Sequence, residues 1–332
     1  MSTRFGNPAT TKQILKQLRL PVMGAPMFIG STVDLVVAQC CAGIIGNIPA
    51  LNARSTVQLD DMLHEIKTRL ADHNKTHPDQ PAAPYGVNLV AHASNKRLDA
   101  DLAVLLAHQV PLAVVALGAP TALVQAVHGY GGLIFNDIIS TRHARKCAEA
   151  GVDGLIAVCA GAGGHTGNMS PFALVQEIRA FWDGPLALSG CIANGRSILA
   201  SQAMGADFAY IGSAFLATPE ANTATAFKQM IIDSTAQDVT VTNCFTGINA
   251  TFLRPSIIAN GLDPANLVRP EGVESSIADG GANKKAWRDI WSAGQGIGGI
   301  HQIESTRDYI ARLHREYHDA QTALQNKISF YL

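Results

Sequence analysis

The 332-residue sequence predicts an α/β fold of the (β/α)8 TIM-barrel class, carrying a smaller, mostly helical insertion domain. Eight short, almost continuously apolar runs bounded by Gly or Pro follow one another between Pro21 and Phe215. That is the pattern of parallel strands buried on both faces. Helical stretches separate them, and strand–helix alternation repeated eight times closes into a barrel. No Gly-x-Gly-x-x-Gly follows the first run, which weakens the alternative of an open doubly wound sheet.

The runs are "PVMGAPM" (Pro21–Met27), "GIIGNIPA" (Gly43–Ala50), "YGVNLVA" (Tyr85–Ala91) and "PLAVVALG" (Pro111–Gly118), then "GLIFNDI" (Gly132–Ile138), "GLIAVCA" (Gly154–Ala160), "PLALSG" (Pro185–Gly190) and "FAYIGSAF" (Phe208–Phe215). Between them, "STRHARKCAEAG" (Ser140–Gly151) opens on a capping Ser, repeats at helical spacing and closes on Gly, and "GRSILASQAMG" (Gly195–Gly205) reads similarly. The rhythm changes after Phe215. Residues 1–217 are expected to form the barrel, 218–289 a helical insertion over one end of it, and 290–332 a segment returning to the barrel.

Hydrophobic residues make up 47% and charged residues 15% of the chain, which argues against disorder. A net charge of −1 without basic clusters argues against nucleic-acid or anionic-membrane partners. The N-terminus lacks a signal-peptide apolar core, no run is long enough to span a membrane, and six cysteines show no CxxC pairing. These features read as a cytoplasmic protein with reduced thiols, no metal site and a small-molecule partner.

Barrel enzymes place their sites at the C-terminal strand ends, often with phosphate after strands 7 and 8. Those ends read "SGCIANGR" (Ser189–Arg196) and "YIGSAF" (Tyr210–Phe215). Gly190 and Gly212 let backbone N–H groups approach an anion, Ser213 adds a hydroxyl, and Asn194 can cap the next helix. The alternative is a pair of plain strand-end turns. Cys191 sits where a helix N-terminus lowers a thiol pKa, or simply stands in for a glycine.

His165, in "CAGAGGHTGN" after strand 6, faces the same end as general base or hydrogen-bond donor, unless it merely ties down its loop. At the first strand end, "GAPM" with Met27 suits a flat aromatic ring. Asn88 and Asn136 offer paired donors and acceptors for a ring's polar edge. Asp137 reads foremost as a helix cap. His92, His108, His128, His143 and His301 read as solvated.

Together, "PVMGAPM", "GVN", "AGAGGHTG", "SGCIANGRSILASQAMGADFAYIGSAFLAT" and "WSAGQGIGGI" resemble the nitronate monooxygenases, formerly 2-nitropropane dioxygenases, from about Pro21 to Ile300. The resemblance implies an FMN-dependent barrel. Gly190, Cys191, Gly212 and Ser213 would hold the FMN phosphate, with Ser189 a further cofactor contact. Gly24, Ala25, Pro26, Met27 and Asn88 would lie along the ring, with Asn136, Gly163 and Gly164 nearby and Gln295 approaching from the returning segment. His165 matches the active-site histidine. The implied reaction oxidises a nitronate or nitroalkane with O2 to a carbonyl compound and nitrite, and a homodimer is compatible with it. The loop departs from the family's Gly-Gly-x-x-Asp-Gly at Cys191 and Asn194, and the family's tyrosine- and lysine-bearing C-terminal motif is not evident. Rival readings are an NAD(P)H:quinone reductase or a flavin-type enoyl-acyl-carrier-protein reductase on the same fold, and a non-redox phosphosugar-binding barrel.

Overall fold

The computed structural model describes residues 4–118, 121–269 and 286–330. All eight apolar runs form strands: β1 (Val22–Gly24), β2 (Gly46–Pro49), β3 (Tyr85–Val90), β4 (Leu112–Ala116), β5 (Leu133–Ile138), β6 (Gly154–Val158), β7 (Leu186–Ser189) and β8 (Phe208–Ile211). They pair in parallel in the order β1-β8-β7-β6-β5-β4-β3-β2. The ring closes between β1 and β2, where Gly24 N–H donates to Ile45 O (2.7 Å) and Ile45 N–H to Val22 O (3.2 Å). The result is the barrel that the sequence predicts.

Alternation along each strand divides the core in two. Met23, Val114, Phe135, Ile156, Ala187, Phe208 and Tyr210 fill the barrel interior, joined by Ile14 from the N-terminal helix (Pro8–Leu15). Their neighbours, such as Val87, Leu89, Val115 and Leu155, pack against the surrounding helices. The helix Thr141–Glu149 is capped by Ser140, whose hydroxyl accepts from His143 N–H at 3.2 Å. Asn194 caps the helix Gly195–Ala203 through Ser197 N–H at 2.9 Å, within a capping box.

The segment expected to be mostly helical also holds an antiparallel ribbon. A helix (Thr225–Asp233) leads to β9 (Val239–Thr242) and β10 (Ala250–Leu253), paired from Ala250↔Thr242 to Leu253↔Val239, then to a short helix (Arg254–Ala259). The β-branched "VTVT" of β9 signals the strand; the Asn- and Gly-rich turn obscures its pairing with β10. Residues 270–285 of this segment lie outside the described residues. Among the described residues, no helix is long and apolar enough to cross a membrane.

The last helix, Thr306–Ile328, packs on Gly195–Ala203. A Cβ at Gly195 would collide with the backbone at Tyr317 N and Glu316 C, neither of which can rotate away. Gly195→Ala is therefore expected to destabilise the fold by about 1–3 kcal/mol, as overpacking does. The check is the urea midpoint; an unchanged midpoint would show that the C-terminal helix shifts freely.

Candidate active site

A cavity of about 440 Å3 opens at the C-terminal ends of the strands. Its walls come from the β1 end (Ala25, Pro26, Met27), β3 (Asn88), β5 (Asp137), the loops after β6 and β7, and β8 (Tyr210, Gly212, Ser213). Trp287, Trp291 and Ser292 close the side facing the insertion. Five non-glycine residues among those described have positive φ, and four of them, Ile29, Leu117, Cys191 and Trp287, line this cavity. Such strain concentrates where surrounding structure fixes a binding geometry.

The glycines of the His165 loop serve close backbone packing. Gly164 N–H donates to Ser292 Oγ (3.0 Å), Gln295 N–H to Gly161 O (2.9 Å) and Gly294 N–H to Ser213 Oγ (2.8 Å). A Cβ at Gly163 would lie 3.0 Å from Gly294 N. At Gly161, with φ of +84°, a Cβ would run into Cys191 Sγ. On the other side β10 continues along the loop: Thr166 N–H donates to Asn249 O (3.1 Å) and Thr251 N–H to Gly164 O (3.0 Å).

That clamp fixes His165. Its ring meets Trp287 edge-on, with centroids 5.4 Å apart, and Trp287 stacks on Phe252 at 5.3 Å. His165 Nε2 is buried and has no hydrogen-bond partner. Burial holds the imidazole below its ordinary pKa, so it is neutral at neutral pH. A neutral imidazole with a free nitrogen in a cavity wall can accept a proton or donate a hydrogen bond.

Beside the β8 end, the loop after β7 turns through left-handed backbone. Gly190 has φ of +134° and Cys191 a left-handed φ of +58°. The backbone N–H groups of Cys191 and Ile192 find no acceptor among the described residues. Successive free N–H groups in such a turn form an anion-binding concavity. Ser213 Oγ accepts from Gly294 N–H, which leaves its own proton to donate. Asn194, at the substituted position of the loop, still caps the helix behind it. Burial pushes the Cys191 thiol up rather than down, and its left-handed φ is one that favours glycine.

Most expected site residues converge here: Ala25, Pro26, Met27, Asn88, Gly163, Gly164, His165, Ser189, Gly190, Cys191, Gly212 and Ser213 all line the cavity. Asn88 spends Nδ2 on Val114 O (3.1 Å). Three do not line it. Gly24 turns outward, where a Cβ would strike the Gln39 amide. Asn136, one residue out of phase with the inward face of β5, is 1% exposed and donates to Asp137 O at 3.3 Å. Gln295 is exposed, and its backbone rather than its side chain serves the site.

Asp137 and His143 correct the sequence reading in the other direction. Asp137 caps no helix, because Ser140 does; it faces the cavity instead. His143 is half-buried in the cavity wall rather than solvated, and burial and then Lys146 hold its pKa down. The alternation of β5 could have identified Asp137; Trp291 opens the "WSAGQGIGGI" run, but no sequence signal marks Trp287. No cluster of potential metal ligands occurs among the described residues.

A partly open, largely apolar cavity over the strand ends of an eight-stranded parallel barrel, with a buried neutral histidine in its wall, is the frame of a barrel enzyme. The chain belongs to the nitronate monooxygenase family, whose sequence profile matches residues 11–316. It is 27% identical over 312 residues to a nitronate monooxygenase of Paraburkholderia phytofirmans, covering 81% of this chain and 84% of that one. In fold it is similar to FabK from Thermotoga maritima, with a TM-score of 0.76 at 21% identity over 96% and 98% of the two chains. It is also similar to nitroalkane oxidase from Streptomyces ansochromogenes, with a TM-score of 0.72 at 23% identity over 96% and 100%.

Proposed function

We propose that the protein uses FMN to oxidise alkyl nitronates, such as propionate 3-nitronate, with O2, giving a carbonyl compound and nitrite. The observation that carries this reading is the unpartnered His165 Nε2, buried in the wall of a cavity whose rim offers free N–H groups after β7. Those residues fit the cofactor. The Cys191 and Ile192 N–H groups and the Ser213 hydroxyl would hold the phosphate, and Met27 and Asn88 would border the ring. FMN supplies the electron acceptor that the side chains lack.

The chain's own residues do the rest. His165 Nε2 donates a hydrogen bond to a nitro oxygen, or takes the α-proton of a neutral nitroalkane. Trp287 keeps the imidazole edge-on and, with Trp291, shuts water out, which strengthens electrostatic contacts inside. From the insertion, Asn222, Thr223, Phe227, Ile248, Trp287 and Arg288 serve as the substrate-side wall.

Purified protein is expected to be yellow and to bleach on anaerobic mixing with propionate 3-nitronate but not with NADH, followed by absorbance. Bleaching by NADH alone would select the reductase reading. Protein that stays colourless after FMN addition would select the phosphosugar reading.

A further inference from the structure

We propose that Asp137 sets the charge of the ligand this cavity accepts: protonated, its carboxyl donates a hydrogen bond to an anionic oxygen; ionised, it repels that oxygen. The inference rests on the nitronate reading above and deepens it, because a nitronate is an anion and its neutral nitroalkane is not.

Position comes first. Phe135 lies in the barrel interior, and the two-residue period of β5 places Asp137 on that inward face at its cavity end. Asp137 is the one carboxylic acid among the described residues lining the cavity. Its Oδ1 is buried without a hydrogen-bond partner. Arg288, also on the wall, is forked onto Asp289 at 2.9 and 2.8 Å.

The groups around Asp137 do not supply a compensating charge. Tyr210 enters the interior from β8, and its unpartnered hydroxyl is held far above its ordinary pKa, first by burial and then by Asp137. Cys147, on the helix behind β5, is pushed up to about 12 by burial and then by Asp137. His143 and His165 are held below their ordinary pKa and are neutral at neutral pH. Burial alone raises the Asp137 carboxyl to about 7. Below that pH the cavity carries a neutral donor, and above it an uncompensated negative charge. Affinity for an anion is therefore full on the acid side and falls as pH rises, by about tenfold per unit for a single proton.

The test uses holoenzyme and butyrate, a non-reacting carboxylate with the planar, two-oxygen, singly charged head of a nitronate. Binding is read from the fluorescence of Trp287 and Trp291, which line the cavity. In the wild type, butyrate affinity is expected to fall about tenfold per pH unit above the transition, while neutral butyramide shows no such fall. In Asp137→Asn the fall near neutrality disappears; any histidine transition lies lower and persists. In the wild type alone, an infrared carboxylic-acid band is expected to vanish through the same pH range and to shift when butyrate binds. An unchanged profile in Asp137→Asn, no titrating band, or no butyrate binding at any pH would overturn the proposal. If butyrate follows the expected profile while nitronates are never oxidised, Asp137 retains this role and the nitronate reading fails.

Discussion

Replacing His165 by alanine is expected to lower kcat/KM for a neutral nitroalkane by about 10²–10⁴-fold, the usual worth of a positioned acid–base group. Three features set the size of the effect. The imidazole is neutral because it is buried, its Nε2 has no other partner, and Trp287 fixes its orientation. A preformed nitronate has already lost its α-proton, so its loss should be smaller and reflect only the missing hydrogen bond. Backbone contacts, not the side chain, hold the loop, so the variant should keep its FMN spectrum. Steady-state rates on both substrates check this. Equal losses on both would assign His165 an electrostatic role alone, and no loss would remove it from the chemistry.

Trp182→Ala is expected to cost about 3–5 kcal/mol, the range for emptying a large aromatic site. Trp182 is fully buried, and its Nε1–H donates to Pro185 O at 2.9 Å. Gly6 and Gly184 bring backbone against its ring, and Phe5 bridges to its main chain. Those neighbours are backbone and cannot collapse into the void, which favours the upper end of the range. The deletion also strips a hydrogen bond from the residue that opens onto β7, the strand carrying the Gly190–Cys191 loop. Urea unfolding measures the loss, and Trp182→Phe should recover much of it. A midpoint within experimental error of wild type would refute this account of the packing.

The barrel was legible because buried parallel strands leave continuous apolar runs, and Gly or Pro marks their ends. The cavity's glycine loop and strand-end rim were legible for the same reason: glycine clusters mark close backbone approach. What failed was orientation. Asn136 and Asp137 are adjacent, yet the pleat sends the amide outward and the acid inward. Ser140 took the capping role offered to Asp137, because only it has the spacing to reach His143 N–H. Gly24 looked like a ligand contact and instead makes room for Gln39. Trp287 was illegible for another reason: the return of the chain after 290 was expected, but nothing local says that Trp287 meets His165. Contacts that far apart in the chain leave no periodic trace.

The clamp on the histidine loop has a consequence for the order of assembly during synthesis. All eight barrel strands leave the ribosome before Asn249, Thr251, Ser292 and Gln295, whose backbone and hydroxyl groups fasten residues 161–166. A nascent chain with a finished barrel thus still lacks the contacts that aim the imidazole. The histidine loop is therefore set only late in synthesis, after the barrel beneath it is complete.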